Sequence, residues 1–565
     1  MEPTINQLHK KAITAHQEGK LEEAEKLYKK ILETEPTHPA THNNVGVLLY
    51  GLGRLEEAVV HYKKAIEFKP DYQDAHNNLG IIMQRLGRFL EAEIIYKKII
   101  ELNPDFAEAH NNLGIIFNKL NKPDEAEAIF KKAIELKPEY LEPYYNLGIT
   151  LQNLERLDEA EVYYKKAIEI NPDYSRSHYN LGNLYDKLER HEEAEKSYKK
   201  STELEPNFAQ GHYNLGTMMQ KLGKWDDSIF SCKKAIELKS DFTVAHNNLG
   251  VGLKELNRLS EAEACFTKAI ELSPNFKGAL INRGQVLFNK GEFERALQDF
   301  DTCNNSESKS RSLYTLHALG RTKDIYKRIE INSELEDQNI AVAAFSAFIS
   351  KKESKITAHK FCNNPLDFIK VSNLSSHFKD KSLFISEVIE ELYKVKTKWE
   401  PSGKTTKKGF QSFDNLFDNS FEKIQNLKSI IIDEIDSYYL KFKNESCSFI
   451  KKWPSKENLY AWFVNLKQQG YQDPHIHTGG WLSGVIYLKV VPTLGKNEGA
   501  IQFSLNGEHY FDNNSPKITH EPKVGDIILF PSSLHHRTIP FTTDTDRIIV
   551  SFDLMPNTKK LNNNI

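Results

Sequence analysis

Ala107-Glu108-Ala109-His110-Asn111-Asn112-Leu113-Gly114-Ile115-Ile116-Phe117-Asn118-Lys119-Leu120-Asn121-Lys122-Pro123-Asp124-Glu125-Ala126-Glu127-Ala128-Ile129-Phe130-Lys131-Lys132-Ala133-Ile134-Glu135-Leu136-Lys137-Pro138 is one copy of a unit that recurs every 34 residues. Its reading decides the fold of the N-terminal half. Gly114 is the small residue of this copy, and Ala12, Gly46, Gly80, Gly148, Gly182, Gly216, Gly250 and Gly284 hold the same place. Twelve positions on stands Ala126, matched by Ala24, Ala58, Ala92, Ala160, Ala194, Ser228, Ala262 and Ala296. Four further is an aromatic, Phe130 here and Tyr28, Tyr62, Tyr96, Tyr164, Tyr198, Phe266 and Phe300 elsewhere, with Cys232 the exception. Pro138 closes the unit, as do Pro36, Pro70, Pro104, Pro172, Pro206 and Pro274, with Ser240 in the one gap. Two helices cross closely where both carry small side chains, and the aromatic fills the adjoining groove. Proline near the end of the second helix stops it and forces the turn into the next pair.

The pattern resembles the tetratricopeptide repeat, in nine copies over residues 5–310. That resemblance implies an α-solenoid with a long concave face. Tyr62-Lys63-Lys64-Ala65-Ile66-Glu67 and its repeats read as solvated second helices whose charges carry no function. Asparagine stands two positions before the small residue in eight consecutive copies: Asn44, Asn78, Asn112, Asn146, Asn180, Asn214, Asn248 and Asn282. Asn is a mediocre helix former, so its recurrence in mid-helix needs a reason. The solenoid is similar to that of the O-linked N-acetylglucosamine transferases, which implies a ladder facing the groove and gripping an extended peptide. An amide offers a donor and an acceptor to any backbone. The alternative is recent duplication with local capping between neighbouring repeats. His42, His76, His110, His178, His212 and His246 come two positions before ladder asparagines and read as surface or packing residues, too dispersed for a metal.

The rest of the composition bounds the function. The 565 residues amount to three or four domain lengths, 39% hydrophobic and 27% charged. Lys+Arg of 75 against Asp+Glu of 78 leaves a net charge of −3, which argues against nucleic-acid binding by bulk electrostatics. The longest uncharged apolar run, Leu482 to Leu488, is far short of a membrane span. Met1-Glu2-Pro3-Thr4 lacks the basic and apolar regions of a signal peptide. Cys232, Cys265, Cys303, Cys362 and Cys447 are scattered, with no Cys-x-x-Cys. A disulfide framework or thiolate zinc site is not expected, and a reduced, cytoplasmic protein is.

After Phe300 the period fades. Segments 311–330 and 336–352 read as helices that cap the solenoid, the cap and linker together spanning 311–378. Residues 353–378, with Asn363-Asn364-Pro365, read as a linker. Trp399-Glu400-Pro401-Ser402-Gly403 and Lys408-Gly409-Phe410-Gln411-Ser412 read as turns and short strands, before a helix at 421–441. The second domain is placed at 380–556, with a tail at 557–565.

From Leu459 onward the pattern is alternating and β-branched with Gly/Asn/Pro punctuation, as in strands. In Asp473-Pro474-His475-Ile476-His477 the two histidines are two apart, so on a strand both imidazoles share a face. Trp481-Leu482-Ser483-Gly484-Val485-Ile486-Tyr487-Leu488 is a strongly apolar strand. Gly525 to Phe530 leads into Pro531-Ser532-Ser533-Leu534-His535-His536-Arg537-Thr538. A last strand starts at Arg547, eleven residues beyond His536, with Arg547, Ile549 and Ser551 on one face. Each feature alone has a structural explanation. Together they form an ordered set that fits an iron site beside a carboxylate-binding cation. Imidazoles suit Fe(II), and three protein ligands leave positions for a bidentate co-substrate and dioxygen. Arginine supplies the fork for a carboxylate.

At these residues the chain resembles the 2-oxoglutarate- and iron(II)-dependent oxygenases, and more narrowly the oxygenase domain that bacteria and phages carry behind tetratricopeptide repeats. The resemblance covers roughly 380–556 and implies a double-stranded β-helix, of jelly-roll or cupin-like form, so that the chain is multidomain α + β. It implies Fe(II) at His475, His477 and His536, with Arg547 binding 2-oxoglutarate and Tyr487 or Ser551 as hydrogen-bonding helpers. His536 is preferred to His535 because the wider cupin class places its metal histidine five residues after a proline such as Pro531. No catalytic side chain is expected beyond the metal ligands. The departure is His477, where the oxygenase pattern has Asp or Glu; Asp473 is a substitute candidate. The leading expectation is a hydroxylase whose solenoid recruits a peptide or protein. The runner-up is a non-catalytic interaction scaffold with a cupin-like metal-binding barrel. A metal-only cupin dioxygenase is weakened by Trp481 and Leu482, where its first motif wants Glu. Nothing after residue 310 resembles a nucleotide-sugar fold. The oligomeric state is not readable.

Overall fold

The computed structural model describes residues 4–332, 338–401, 404–492, 495 and 497–557. The expectations that fall on residues 336–337, on Ser402 and Gly403 and on 558–565 lie outside the described residues. The chain divides into two compact units between Ser240 and Asp241.

In the first unit each copy is a 13-residue helix followed by one of 14, as in Gln73–Arg85 and Phe89–Leu102. The crossing is tighter than a filled groove. A Cβ on Gly46, Gly114 or Gly148 would lie 2.6 Å from the ring of Tyr62, Phe130 or Tyr164, so the ring rests directly on glycine backbone. In the exceptional copy Gly216 meets the Cys232 Sγ instead, at 2.9 Å. The turn within a copy needs a left-handed residue, supplied by Gly53 at φ +75° and by Asn121 at φ +57°. The histidines that precede the ladder are packing residues. His76, His110 and His178 place Nε2 2.8–2.9 Å from the carbonyl oxygens of Pro70, Pro104 and Pro172. Each ring thus clamps the turn that its proline creates.

The second unit opens with two more pairs, Thr243–Glu255 with Leu259–Leu272 and Lys277–Asn289 with Phe293–Cys303. Helices Ser306–Ala318, Thr322–Asn332 and Ile340–Lys352 follow. The segment read as one helix over 311–330 is two, broken at Gly320, whose φ of +69° no helix interior accommodates. Strands β1 Lys370–Asn373, β2 Lys398–Trp399, β3 Thr406–Gln411, β4 Leu459–His475, β5 Leu482–Lys489, β6 Ile501–Ser504, β7 Lys517–His520, β8 Asp526–Pro531, β9 His535–Thr538 and β10 Arg547–Leu554 form one curled antiparallel sheet. Its order is β1-β8-β5-β10-β4-β9-β6-β7, with β3 also on β4 and β2 on β3.

Segment 353–378 is not a linker. β1 pairs with β8, Lys370 opposite Leu529, and the Phe361 ring lies 5.0 Å from that of Trp481 in the core. β1 holds too few apolar residues for a strand signal, and its partners lie 153 to 159 residues further along the chain. A helix over Lys381–Leu392 was likewise not foreseen. With Glu422–Phe442 it covers the outer face of the sheet, so both faces are buried and the strands lose their amphipathic alternation. On β10, Ile548, Val550, Phe552 and Leu554 join the outer core, leaving Arg547, Ile549, Ser551 and Asp553 to the other face.

Candidate functional site

β4 is long because it serves both halves of the curled sheet. Its first part lies between β10 and β3, and its end lies beside β9 with His475 opposite His536. Gln469, at φ +61°, marks the bend between the parts. This brings His475, His477 and His536 together, with one ligand nitrogen of each within 4.8 Å of the others. His475 Nδ1 is 2.6 Å from the carbonyl oxygen of Asp473, and His536 Nδ1 is 3.2 Å from that of Leu534. His477 Nδ1 is 2.6 Å from Asp553 Oδ1. An Nδ1 facing an oxygen acceptor carries the proton, so each Nε2 presents a lone pair. Two such lone pairs, on His475 and His477, face each other 3.2 Å apart. That spacing suits a shared cation, since an ion about 2.1 Å from each sets two nitrogens about 3 Å apart. Burial, with the neighbouring imidazoles adding to it, pushes His475 down to about 3 and His536 well below the ordinary histidine range. Both are neutral, as ligands must be. The donor set fits a divalent transition metal. Asp473 contributes its carbonyl to orient His475, and its carboxylate is not among the converging atoms.

Arg547 shares an inner cavity with the three histidines, walled also by Tyr487 and Ser551. It is 1% exposed. Nη1 donates to Thr538 Oγ1 at 3.1 Å and Nη2 to the Tyr487 hydroxyl at 3.3 Å, while Nε has no partner. Among the described residues no carboxylate pairs with it. Burial lowers its pKa, and the same burial pushes the Tyr487 phenol up to about 12. A buried cation without an anion is costly, so the pocket is built to receive one.

A wider cavity of about 800 Å³ is also lined by His475 and His536. Helices supply one wall through Tyr314 and Phe345, and the 506–511 loop another. The Tyr510 ring meets that of Phe345 edge-on at 5.0 Å, and its hydroxyl is 2.7 Å from His535 Nε2. His535 lines this wider cavity, beside His536.

The ladder amides work between copies. Asn78 Nδ2 donates to Asn43 Oδ1 at 3.1 Å, Asn146 to Asn111 Oδ1 at 3.0 Å and Asn282 to Asn247 Oδ1 at 3.0 Å. Asn180 and Asn214 donate to the hydroxyls of Tyr145 and Tyr179, each at 3.1 Å, and Asn44 Nδ2 lies 3.1 Å from His9 Nε2. Asn112 and Asn248 accept from Asn111 and Asn247 beside them. The partner is the residue 35 positions back, a capping between neighbouring repeats. It uses one of the two N–H groups of the donors named, except that Asn214 Nδ2 also donates to Asn183 Oδ1 at 3.1 Å.

Residues 460–553 match the family described as "Putative 2OG-Fe(II) oxygenase", and tetratricopeptide-repeat families match at 8–38, 48–87, 71–139, 139–205, 243–276 and 265–298. Tetratricopeptide repeats and a 2OG-Fe(II) oxygenase-type domain share this chain. The solved structures similar to it include YrrB, described as a TPR protein with an unusual peptide-binding site, at 24% identity over 33% of this chain and 95% of that one, with a TM-score of 0.28. MamA is 27% identical over 29% of this chain and 95% of its own, with a TM-score of 0.27. A tetratricopeptide-repeat protein from Parabacteroides merdae is 20% identical over 44% and 98%, with a TM-score of 0.37. A comparison with curated proteins returned no match.

Sequence reasoning missed Asp553 and Thr538. Asp553 is two residues beyond Ser551 on the same strand face, a spacing that points to it. Thr538 is brought to Arg547 by the pairing of β9 and β10 with β4, which no local pattern announces.

Proposed function

We propose that the protein is a cytoplasmic 2-oxoglutarate- and Fe(II)-dependent hydroxylase whose repeats recruit a peptide or protein substrate. One observation carries the reading: a single inner cavity joins three converging histidines to a buried arginine that, among the described residues, has no carboxylate partner. His475, His477 and His536 would hold Fe(II), which with 2-oxoglutarate and dioxygen supplies the oxidising power to hydroxylate a C–H bond as succinate and carbon dioxide leave. Arg547 binds the distal carboxylate of 2-oxoglutarate, with Nη1 and Nη2 held by Thr538 and Tyr487. Ser551 adds a hydroxyl to the same wall. The apolar residues around it, Ile549 and Phe530 among them, keep water from the reacting centre. The wider cavity admits a side chain of the substrate over His475 and His536. The ladder from Asn44 to Asn282 supports peptide recruitment, since its inter-repeat bonds, those of Asn214 apart, leave further hydrogen-bonding capacity in the donating amides.

The test is 2-oxoglutarate consumption and succinate release by the full chain under air with Fe(II). The expected result is turnover that Arg547→Gln abolishes. Stoichiometric metal binding without any 2-oxoglutarate consumption would overturn the reading in favour of an interaction scaffold.

A further inference from the structure

The three histidines differ in what stands behind them. His475 and His536 present their Nδ1 atoms to backbone carbonyls, which are neutral. His477 alone presents it to a carboxylate, Asp553 Oδ1 at 2.6 Å. The Ser483 hydroxyl donates to the same oxygen at 2.6 Å and lies 2.8 Å from Ser532 Oγ. Asp553 is 8% exposed, and among the described residues His477 is the one cationic or basic side chain paired with it. The arrangement is fixed by the sheet. Asp553 on β10 is the cross-strand partner of Ser483 on β5, and the His477 backbone N–H donates to the Ser532 carbonyl at 3.1 Å. Gly480 leaves the room, because a Cβ there would lie 2.9 Å from Asp553 Cγ.

Resting on the metal-centre reading above, we infer that Asp553 is a positioning residue of that centre, supplying from behind His477 the negative charge that an aspartate or glutamate ligand supplies directly in the oxygenase pattern. A carboxylate behind an imidazole fixes the tautomer and ring orientation and raises the basicity of the ligand nitrogen. The donor set is then three neutral nitrogens with one unit of negative charge a single hydrogen bond away. The substitution of histidine for the usual acid at 477 and the buried aspartate at 553 are two parts of one device.

The test loads the full chain anaerobically with Co(II), reading the dissociation constant and the visible ligand-field spectrum. Asp553→Asn keeps an oxygen at the same place and removes the charge. It is expected to weaken Co(II) about 10- to 100-fold and to shift the spectrum, with the circular dichroism unchanged. A folded Asp553→Asn protein with wild-type affinity and spectrum would overturn the inference while leaving the metal site standing. Failure of the wild-type chain to bind Co(II) or Fe(II) would remove the metal site and the inference with it. Ser483→Ala keeps the charge and removes the hydroxyl, so it decides the matter even where Asp553→Asn does not fold. Affinity within about threefold of wild type supports the charge as the acting feature, and a loss of tenfold or more would contradict it.

Discussion

At Arg547 the physical argument is one of uncompensated charge. The guanidinium is 1% exposed with, among the described residues, no carboxylate paired to it, so its replacement has opposite effects on the empty and loaded protein. Arg547→Gln should leave the ligand-free chain as stable as wild type or more so, because a buried unpaired cation is removed. It should cost about 2–5 kcal/mol of 2-oxoglutarate binding while metal binding persists. Calorimetric titration with each ligand checks both. A second residue-scale prediction concerns Cys447. A hydrogen bond from the buried Cys362 thiol holds Cys447 down to about 7, while burial pushes Cys362 well up. Alkylation of Cys447 should therefore rise through pH 7 and level off near pH 8, with Cys362 unreactive; an apparent midpoint near the ordinary thiol value of 9.0 would contradict the contact. The metal-ligand candidates and Arg547 were legible in the sequence from their order and spacing, although β4 ends at His475, so His477 reaches the cluster from beyond the strand and not from a shared strand face. Asp553, one residue before the end of β10, lies on the same face as Arg547 and Ser551 and was passed over.

The elements of the repeats were legible down to single positions, since a 34-residue period repeats the same packing problem nine times. What the period does not show is which contact makes glycine necessary. That contact is the aromatic ring of the same copy, and it yields a quantitative contrast. Gly114→Ala should destabilise the solenoid by about 1–3 kcal/mol, because the new Cβ would sit 2.6 Å from Phe130. Gly51→Ala, in a helix with nothing within 4 Å, should be neutral or stabilising by up to about 1 kcal/mol. Urea unfolding of both variants checks the pair. Asn78→Ala should cost about 1 kcal/mol through the lost bond to Asn43 even without a peptide. No change in unfolding midpoint would return the ladder to a purely ligand-binding role. In the second unit β1 and the helix Lys381–Leu392 escaped sequence reading for the same reason. Four residues of strand and one amphipathic helix in a long loop-like stretch acquire their structure from partners in β8 and the sheet's outer face.

On the scale of the whole molecule, the oxygenase-type domain does not end where its family match ends. The match covers 460–553, whereas the wall of the wider cavity includes Tyr314 and Phe345 from the preceding helices. Phe345 and Phe348 pack against Tyr510, whose hydroxyl meets His535 next to His536. A chain beginning at Asp241 should therefore bind Co(II) as the full chain does. One beginning at Thr357 should bind it more weakly and expose the Tyr510 face to apolar dyes. Equal metal affinity in the two would show that the helices matter only for substrate.

The central claim is that three histidines and Arg547 form one site for Fe(II) and 2-oxoglutarate. Anaerobic titration of the full chain with Fe(II) and then 2-oxoglutarate tests it most directly, through the visible charge-transfer band of a 2-oxo acid chelating Fe(II). The account predicts a band that saturates at one equivalent, is lost in His536→Ala and is lost in Arg547→Gln with Fe(II) still bound. A folded, iron-loaded wild-type chain that gives no band would contradict it.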